Sequence, residues 1–524
     1  MQRFPLTVDK FLDHAAKWFG QQEVVSARGD RTVERATYAE LRERSNRLSG
    51  ALQSLGVKVG DRIATLAWNS RHHFEIYYAV MGMGAVCHTL NPRLTAAQLA
   101  AMINEADDRV LAIAADLLPL AGEVLRSCGG VRQVIVLDLP PNAGSEGDAV
   151  ALDALLARCG AAVPWGEFDE ETVAGLCYTS GTTGAPKGVE YTHRSNYLHT
   201  LRALGADAVA LTARDTLLLA VPMFHANGWG LPFAAAAAGT KLVLPGRQLD
   251  GDSLAKLIRD EGVTIAVGVQ TIWIGLVDAL EHRGETVPDL ERVLIGGAPC
   301  PPALLERLTA SLGARVQTSW GMTELSPIGT LSPPGVEPVA GTAGRPPIGI
   351  DLKLTDADGR TLPDQRGVLG HLKVRGASVL ERYLGADSDA LDDEGYFNTG
   401  DLAVIDEAGT LTISGRAKDL IKSGGEWINP AEIEAIVGAD PSVRHVAVIA
   451  RSDPKWGERP VVIVERDPGG ERTDLLALLR GRVADWWLPT ELIEVPTMPL
   501  AATGKIDKLA LRRTYDQAAV TAAA

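Results

Sequence analysis

Short apolar runs alternate with helical stretches along most of the chain. "RIATLAW" (residues 62–68) is β-rich, and "SRHHFEIYYAVMGMGA" (70–85) after it has the length and spacing of a helix. "VRQVIVLD" (131–138), "TIAVGV" (264–269) and "RVLIGG" (292–297) are further strands. The most apolar segment, residues 216–244, is interrupted by two prolines, His225, Asn227 and several glycines. It reads as a buried strand, loop and helix rather than a membrane span. This alternation predicts α/β layering with largely parallel sheets.

From about Gly341 the pattern changes. "IDLKLTDADGRTLPDQRGVLGHLKVRG" (350–376) has strands broken by D-G and R-G turns, and "EGYFNTGDLAVIDEAGTLTISGR" (394–416) continues as a hairpin turning at residues 407–409. Both predict a small antiparallel β subdomain. Beyond Arg416 come a helix ("AEIEAIV"), two strands ("VRHVAVIARSD", "RPVVIVER") and a second helix ("TDLLALLRGRVADWW"). The predicted fold class is therefore α/β: a large N-terminal domain of layered α/β sheets plus a small β subdomain, residues 1–416, followed by a small α+β C-terminal domain, residues 417–524. No repeat of fixed period is visible.

Composition narrows the function. The 524 residues suffice for two to four domains, and 46% hydrophobic with 22% charged residues is ordinary for a globular protein. A net charge of −15 argues against a nucleic-acid surface. The five cysteines, Cys87, Cys128, Cys159, Cys177 and Cys300, are scattered without a C-x-x-C pair. They read as reduced thiols of a cytoplasmic protein, not a disulfide framework or a zinc site. The first twenty residues lack the apolar core of a secretion signal.

The sharpest local signal is "YTSGTTGAPKGVEYTHRS" (178–195). A strand runs into a loop of Thr179, Ser180, Gly181, Thr182, Thr183 and Gly184 that ends at Lys187. The glycines allow tight turns with inward N–H groups, the hydroxyls donate, and the lysine adds charge: an anion cradle suited to a polyphosphate. The G-x-x-x-x-G-K-[ST] spacing of a Walker A loop is not met.

This string resembles the phosphate loop of the adenylate-forming superfamily, which includes acyl-CoA synthetases, luciferases and peptide-synthetase adenylation domains. Further resemblances follow in order: "GGAP" (296–299), "TSWGMTE" (318–324), "GTAGRP", "YFNTGDL", "GRAKDLIKSGGEWINPAEIE" and "PLAATGKI". The resemblance implies that Gly297, Ala298 and Pro299 line the adenine and that Trp320 packs on it, a stacking worth about 1–3 kcal/mol per base. It implies that Thr323 contacts the α-phosphate, Glu324 helps hold Mg2+, and Asp401 and Arg416 bind the ribose. Lys418 falls at the hinge on which the small domain swings. Gly424 and Gly425 match backbone beside the pantetheine arm of coenzyme A. Lys505 enters the adenylation site from the small domain, and Gly504 beside it gives it access to a crowded cleft.

The reaction implied uses ATP, Mg2+ and coenzyme A. A carboxylate attacks the α-phosphorus, giving an acyl-adenylate and pyrophosphate; the thiol then displaces AMP. An ionised carboxylate needs no base, only donors, positive charge and in-line placement. For the thiol, His225 is the nearest base, although the resemblance implies that this position mainly shapes the acyl pocket. That pocket is expected to comprise His225, Asn227, Trp229, Gly230, Gln270 and Gly321, with glycine at 321 leaving room for a longer or wider acyl group. "CHTLNPRL", "PMFHANGWG" and "KSGGEWI" resemble the branch of medium-chain and 3-methylmercaptopropionate CoA ligases. A medium-chain or methylthio-alkanoic acid is therefore expected first. Gln270, where relatives usually carry proline, keeps an arylalkanoate or phenylpropenoate as the alternative. An adenylation enzyme loading a carrier protein is a more distant alternative, because "HANGWG" lacks an acid for an amino group. No nucleic acid and no membrane span are expected, and a homodimer is left open.

Overall fold

The computed structural model describes residues 1–29, 32–139, 149–179, 186–424, 426–467, 473–501 and 505–516. Among these residues the chain forms four sheets. One runs Ala149–Ala151, Gln133–Val136, Val110–Ile113, Arg62–Leu66, Val86–Thr89, Val173–Tyr178 and Gly188–Thr192; all its pairs are parallel except the last. A second runs Ile328–Leu331, Arg315–Gly321, Arg292–Gly296, Ile265–Val269, Thr216–Leu219, Lys241–Leu244, Glu23–Ala27 and Val33–Thr37, with antiparallel strands only at its two edges. Their inner strands are buried along their whole length, as parallel strands covered on both faces must be.

Residues of both sheets share one core with the helices between them. The helix Arg71–Gly82, capped by Ser70, which accepts from the His73 N–H at 3.2 Å, is buried from His72 to its end. An unbroken apolar and aromatic surface of this kind suits a helix enclosed by neighbours. Leu231–Ala238 is likewise buried through most of its length, and the apolar run at 216–244 resolves into a strand, two helical turns and a second strand.

Ile350–Thr355, Leu369–Gly376, Phe397–Ile405 and Leu411–Arg416 form an antiparallel sheet. The hairpin between the last two pairs Ile405 with Leu411 and turns through Gly409 at φ +82°. After the 3₁₀ turn Ala417–Asp419 the chain enters another sheet, built of Ile421–Ser423, Glu426–Ile428, Val443–Asp453, Gly457–Arg466 and Glu491–Glu494. Pro430–Val437 packs on it.

One expected helix is absent. Residues 473–487 hold only the 3₁₀ turns Ala477–Leu479 and Asp485–Trp487. Gly481 sits at φ +69°, in the left-handed region, which ends a right-handed helix. Leu475 and Leu479 reach the core of this domain from the irregular segment. Among the described residues no helix is long and apolar enough to cross a membrane.

Candidate functional site

The site is assembled where strand ends from three sheets meet. Val173–Tyr178 and Gly188–Thr192 pair up to Tyr178 and Gly188. Just beyond, the Thr179 N–H donates to the Lys187 carbonyl at 2.9 Å, and the Lys187 N–H donates to Thr179 Oγ1 at 3.1 Å. These two bonds close the neck of the expected phosphate loop. Ser180, Gly181, Thr182, Thr183 and Gly184 lie outside the described residues, as do Gly425 and Gly504. Lys187 is exposed, with Nζ 4.7 Å from the ring centroid of Tyr383. The Tyr383 hydroxyl donates to Glu324 Oε1 at 2.8 Å.

Thr323 and Glu324 are buried in a 3₁₀ turn after the strand Arg315–Gly321. Tyr191 supports the turn by donating to the Thr323 carbonyl at 2.8 Å. From below, the buried Arg202 donates to the Ile328 carbonyl and to Ser378 Oγ, each at 2.9 Å.

Asp401 is almost wholly buried and fully engaged. Trp320 Nε1 donates to its Oδ2 at 2.9 Å, Arg416 Nε lies 2.8 Å from its Oδ1, and its own N–H donates to Thr399 Oγ1 at 3.0 Å. Arg416 also donates to the Thr399 carbonyl at 3.0 Å. Burial raises the carboxyl's pKa, and the charge of Arg416 with the Trp320 hydrogen bond oppose that rise. The Trp320 ring is enclosed on one side, because a Cβ on Gly329 would lie 2.4 Å from it.

Lys505 closes the constellation from the C-terminal segment. Its Cε lies 3.7 Å from where a Cβ on Gly297 would stand. Burial and the charge of Arg416 lower its pKa, while Asp401 and Glu324 raise it. His225 senses the same ammonium: burial and then Lys505 push its pKa down to about 4, so the ring is neutral at pH 7. Lys505 is nevertheless accessible and His225 partly so. Groups surrounded by protein yet reached by water line a cleft.

The residues expected at the acyl pocket face different neighbours. Residues 226–230 all have positive φ, from 43° to 70°, a left-handed turn that is rare for non-glycine residues. The turn lays the Trp229 ring over Gly296, where a Cβ would meet it at 2.7 Å. It also turns Asn227 away from the cleft. That side chain is buried against Gly175, and its carbonyl oxygen accepts from the Cys177 thiol at 3.7 Å. Gly230 faces the His199 ring, which a Cβ would meet at 2.8 Å. At Gly321 a Cβ would point at the Pro327 carbonyl oxygen, 2.3 Å away. Close backbone approach alone calls for glycine there. The Gln270 amide, at the start of the helix Gln270–Arg283, donates to the Pro299 carbonyl; its donor is used to fix the 297–299 segment. Ala298 and Pro299 are exposed.

Lys418 is exposed on the 3₁₀ turn, beside Asp419, which Arg512 Nη2 contacts at 2.8 Å. Gly424, at φ +61°, donates its N–H to the Trp456 carbonyl at 2.8 Å, and a Cβ there would lie 2.8 Å from the Trp456 ring. Tyr383 and Thr399 are site residues that the sequence reading missed. A tyrosine in "LERYLG" and a threonine in "FNTGD" carry no chemical pattern of their own.

Known proteins resemble this chain over most of its length. The model of the AMP-binding enzymes matches residues 12–384, and that of the AMP-binding enzyme C-terminal domain matches residues 432–505. A 3-methylmercaptopropionyl-CoA ligase of Ruegeria lacuscaerulensis is 41% identical over 99% of both chains. A medium-chain-fatty-acid–CoA ligase of Ectopseudomonas oleovorans is 42% identical over 98% of this chain and 97% of its own. The solved structure of ATP-bound MatB from Rhodopseudomonas palustris superimposes with a TM-score of 0.85 at 26% identity, covering 98% of this chain and 100% of that one. The chain belongs to the family of AMP-binding enzymes.

Proposed function

We propose that this enzyme activates a medium-chain or methylthio-alkanoic acid with ATP and transfers the acyl group to coenzyme A. The protein is an AMP-forming acid–thiol ligase, as its full-length relatives are CoA ligases. The observation that carries the site reading is the position of Lys505, whose Cε lies 3.7 Å from where a Cβ on Gly297 would stand, with His225, Arg416, Asp401 and Glu324 near enough to share its electrostatic surroundings.

In the first half-reaction a carboxylate oxygen of the acid bonds to the α-phosphorus and the bond to pyrophosphate breaks. The roles assigned are as follows. Residues 179–187 hold the polyphosphate, with Lys187 supplying charge. Asp401, oriented by Trp320 and Arg416, accepts from the ribose hydroxyls. Gly297, Ala298, Pro299 and Trp320 enclose the adenine, and Thr323 contacts the α-phosphate. Lys505 donates to the oxygens where charge builds up as the acid and phosphate react. Such preorganised donors are commonly the largest single contribution to catalysis.

Mg2+ fits this donor set through Glu324. Among the described residues no group of three or more His, Cys, Asp or Glu side chains could hold an ion unaided. One carboxylate completed by phosphate oxygens and water suits Mg2+. When bound, the ion neutralises phosphate charge.

In the second half-reaction the thiol sulfur bonds to the acyl carbon, AMP leaves with the bonding pair, and the thiol proton passes to solvent or a base. His225 is a poor candidate for that base, since a pKa of about 4 makes it weakly basic at pH 7. Its role is to line the acyl cleft with Trp229. Lys418 is assigned to the hinge and Gly424 with Gly425 to the pantetheine arm. The relatives above favour the alkanoate and methylthio-alkanoate reading over an aryl acid. The protein is placed in the cytoplasm, on the support of its buried free thiols Cys87, Cys128, Cys177 and Cys300. A homodimer is the assembly to test by light scattering.

The test is pyrophosphate release and thioester formation across straight-chain, methylthio- and aryl-alkanoic acids, with and without coenzyme A. The reading expects the first two classes to be preferred and the thioester to require coenzyme A. Preference for aryl acids would overturn the substrate, and acid-dependent AMP release without a CoA thioester would overturn the ligase.

A further inference from the structure

The segment carrying Tyr383 touches two parts of the site at once. The phenol donates to Glu324 Oε1 at 2.8 Å, and the Leu380 N–H donates to the Glu324 backbone carbonyl at 2.7 Å. On its other side Tyr383 pairs with Val189 in an antiparallel bridge, the Leu384 N–H donates to the Gly188 carbonyl at 2.9 Å, and Lys187 Nζ lies over the ring at 4.7 Å. The half-buried ring also meets Phe397 edge-on, with centroids 6.4 Å apart.

We infer that Tyr383 is a positioning residue that fixes Glu324 for the metal and registers that carboxylate against the phosphate-loop lysine. The inference rests on the assignment of Glu324 to Mg2+ above. A glutamate has three side-chain torsions, and one hydrogen bond to Oε1 selects a single orientation while leaving Oε2 free. Without the phenol, the carboxylate is free to adopt its other rotamers and no longer presents a fixed oxygen to the metal. The ring has a second use. Its face attracts the Lys187 ammonium, holding the lysine at the neck of the phosphate loop.

Three variants of the full chain separate these roles: Tyr383→Phe, Tyr383→Leu and Glu324→Gln. ATP binding is measured by calorimetry over a Mg2+ titration, beside the ligand-free melting temperature and adenylate formation. Tyr383→Phe is expected to raise the Mg2+ concentration for half-maximal ATP binding about tenfold, the scale of one hydrogen bond to a charged group. Its ligand-free melting temperature should fall modestly, as for a hydrogen bond lost from a buried carboxylate, and its KM for the acid should stay at the wild-type value. Tyr383→Leu should also weaken ATP binding without Mg2+, since it removes the ring beneath Lys187. Glu324→Gln should abolish most of the Mg2+ dependence. Wild-type Mg2+ dependence in Tyr383→Phe, with that of Glu324→Gln lost, overturns the role of Tyr383. So does a loss in Tyr383→Phe that is equal at all Mg2+ concentrations. Wild-type Mg2+ dependence in Glu324→Gln overturns the metal assignment instead.

Discussion

Trp320 and Asp401 are joined by a buried hydrogen bond of 2.9 Å from the indole N–H to Oδ2, tying the strand Arg315–Gly321 to the antiparallel subdomain. Arg416 holds the other carboxylate oxygen at 2.8 Å. The bond orients the acid assigned to the ribose, so a residue that reads as a stacking platform is also a positioning donor. Trp320→Phe keeps an aromatic face while removing the donor and part of the ring. It should cost about 1–3 kcal/mol in urea unfolding, as for a hydrogen bond lost from a buried charge. KM for ATP should rise while KM for the acid is unchanged. Unchanged stability together with unchanged KM for ATP would show that the bond does not orient the site.

Gly321 offers a test of what sets chain length. A side chain there meets the Pro327 carbonyl and not open space. Gly321→Ala should therefore lower the melting temperature and reduce kcat/KM by a similar factor for short and long acids. A selective loss of long acids would restore the reading that this glycine widens the acyl pocket.

Gln270 is placed to hold the segment assigned to the adenine through the Pro299 carbonyl. Gln270→Ala should raise KM for ATP by roughly tenfold or less, the worth of one neutral hydrogen bond, and leave the ranking of acids unchanged. A changed ranking in the acid panel would move Gln270 into the acyl pocket.

Several buried histidines make the fold sensitive to acid. Burial lowers the pKa of His73 to about 4, His193 to about 3 and His225 to about 4, and lowers those of His72 and His199 as well. The unfolded chain takes up these protons near pH 6.5 while the folded chain does not. Between about pH 6.5 and 4 the unfolded state thus binds more protons, and stability must fall as pH falls. Urea unfolding across this window should show that slope, and His225→Gln should reduce it by close to one proton. A flat profile would mean that these rings are protonated in the folded protein.

Where the sequence was informative, it was so because the chemistry demands residue types. The glycine and hydroxyl loop before Lys187 announces itself in this way; the acid of "TGD" and the lysine of "TGKI" were legible only through their resemblance to the family's motifs. The parallel sheets were legible from short, wholly apolar strands. Orientation was not legible. Asn227 lies between His225 and Trp229 in sequence, yet five consecutive positive φ angles turn its amide onto Gly175. Tyr383 acquires its role only through the pairing of 383–384 with 188–189, a contact between segments almost two hundred residues apart. The helix expected over 473–487 failed on the backbone angle of Gly481, which composition does not reveal.

The central claim is that Lys505 completes a site whose other half spans residues 179 to 416. Lys505→Ala should be measured separately in the two half-reactions: adenylate formation from acid and ATP, and thioester formation from a supplied acyl-adenylate and coenzyme A. The first should slow by roughly 10²-fold or more, the scale of losing one transition-state donor, while the second should change far less. Equal loss in both half-reactions, or an unaffected first one, would contradict the claim.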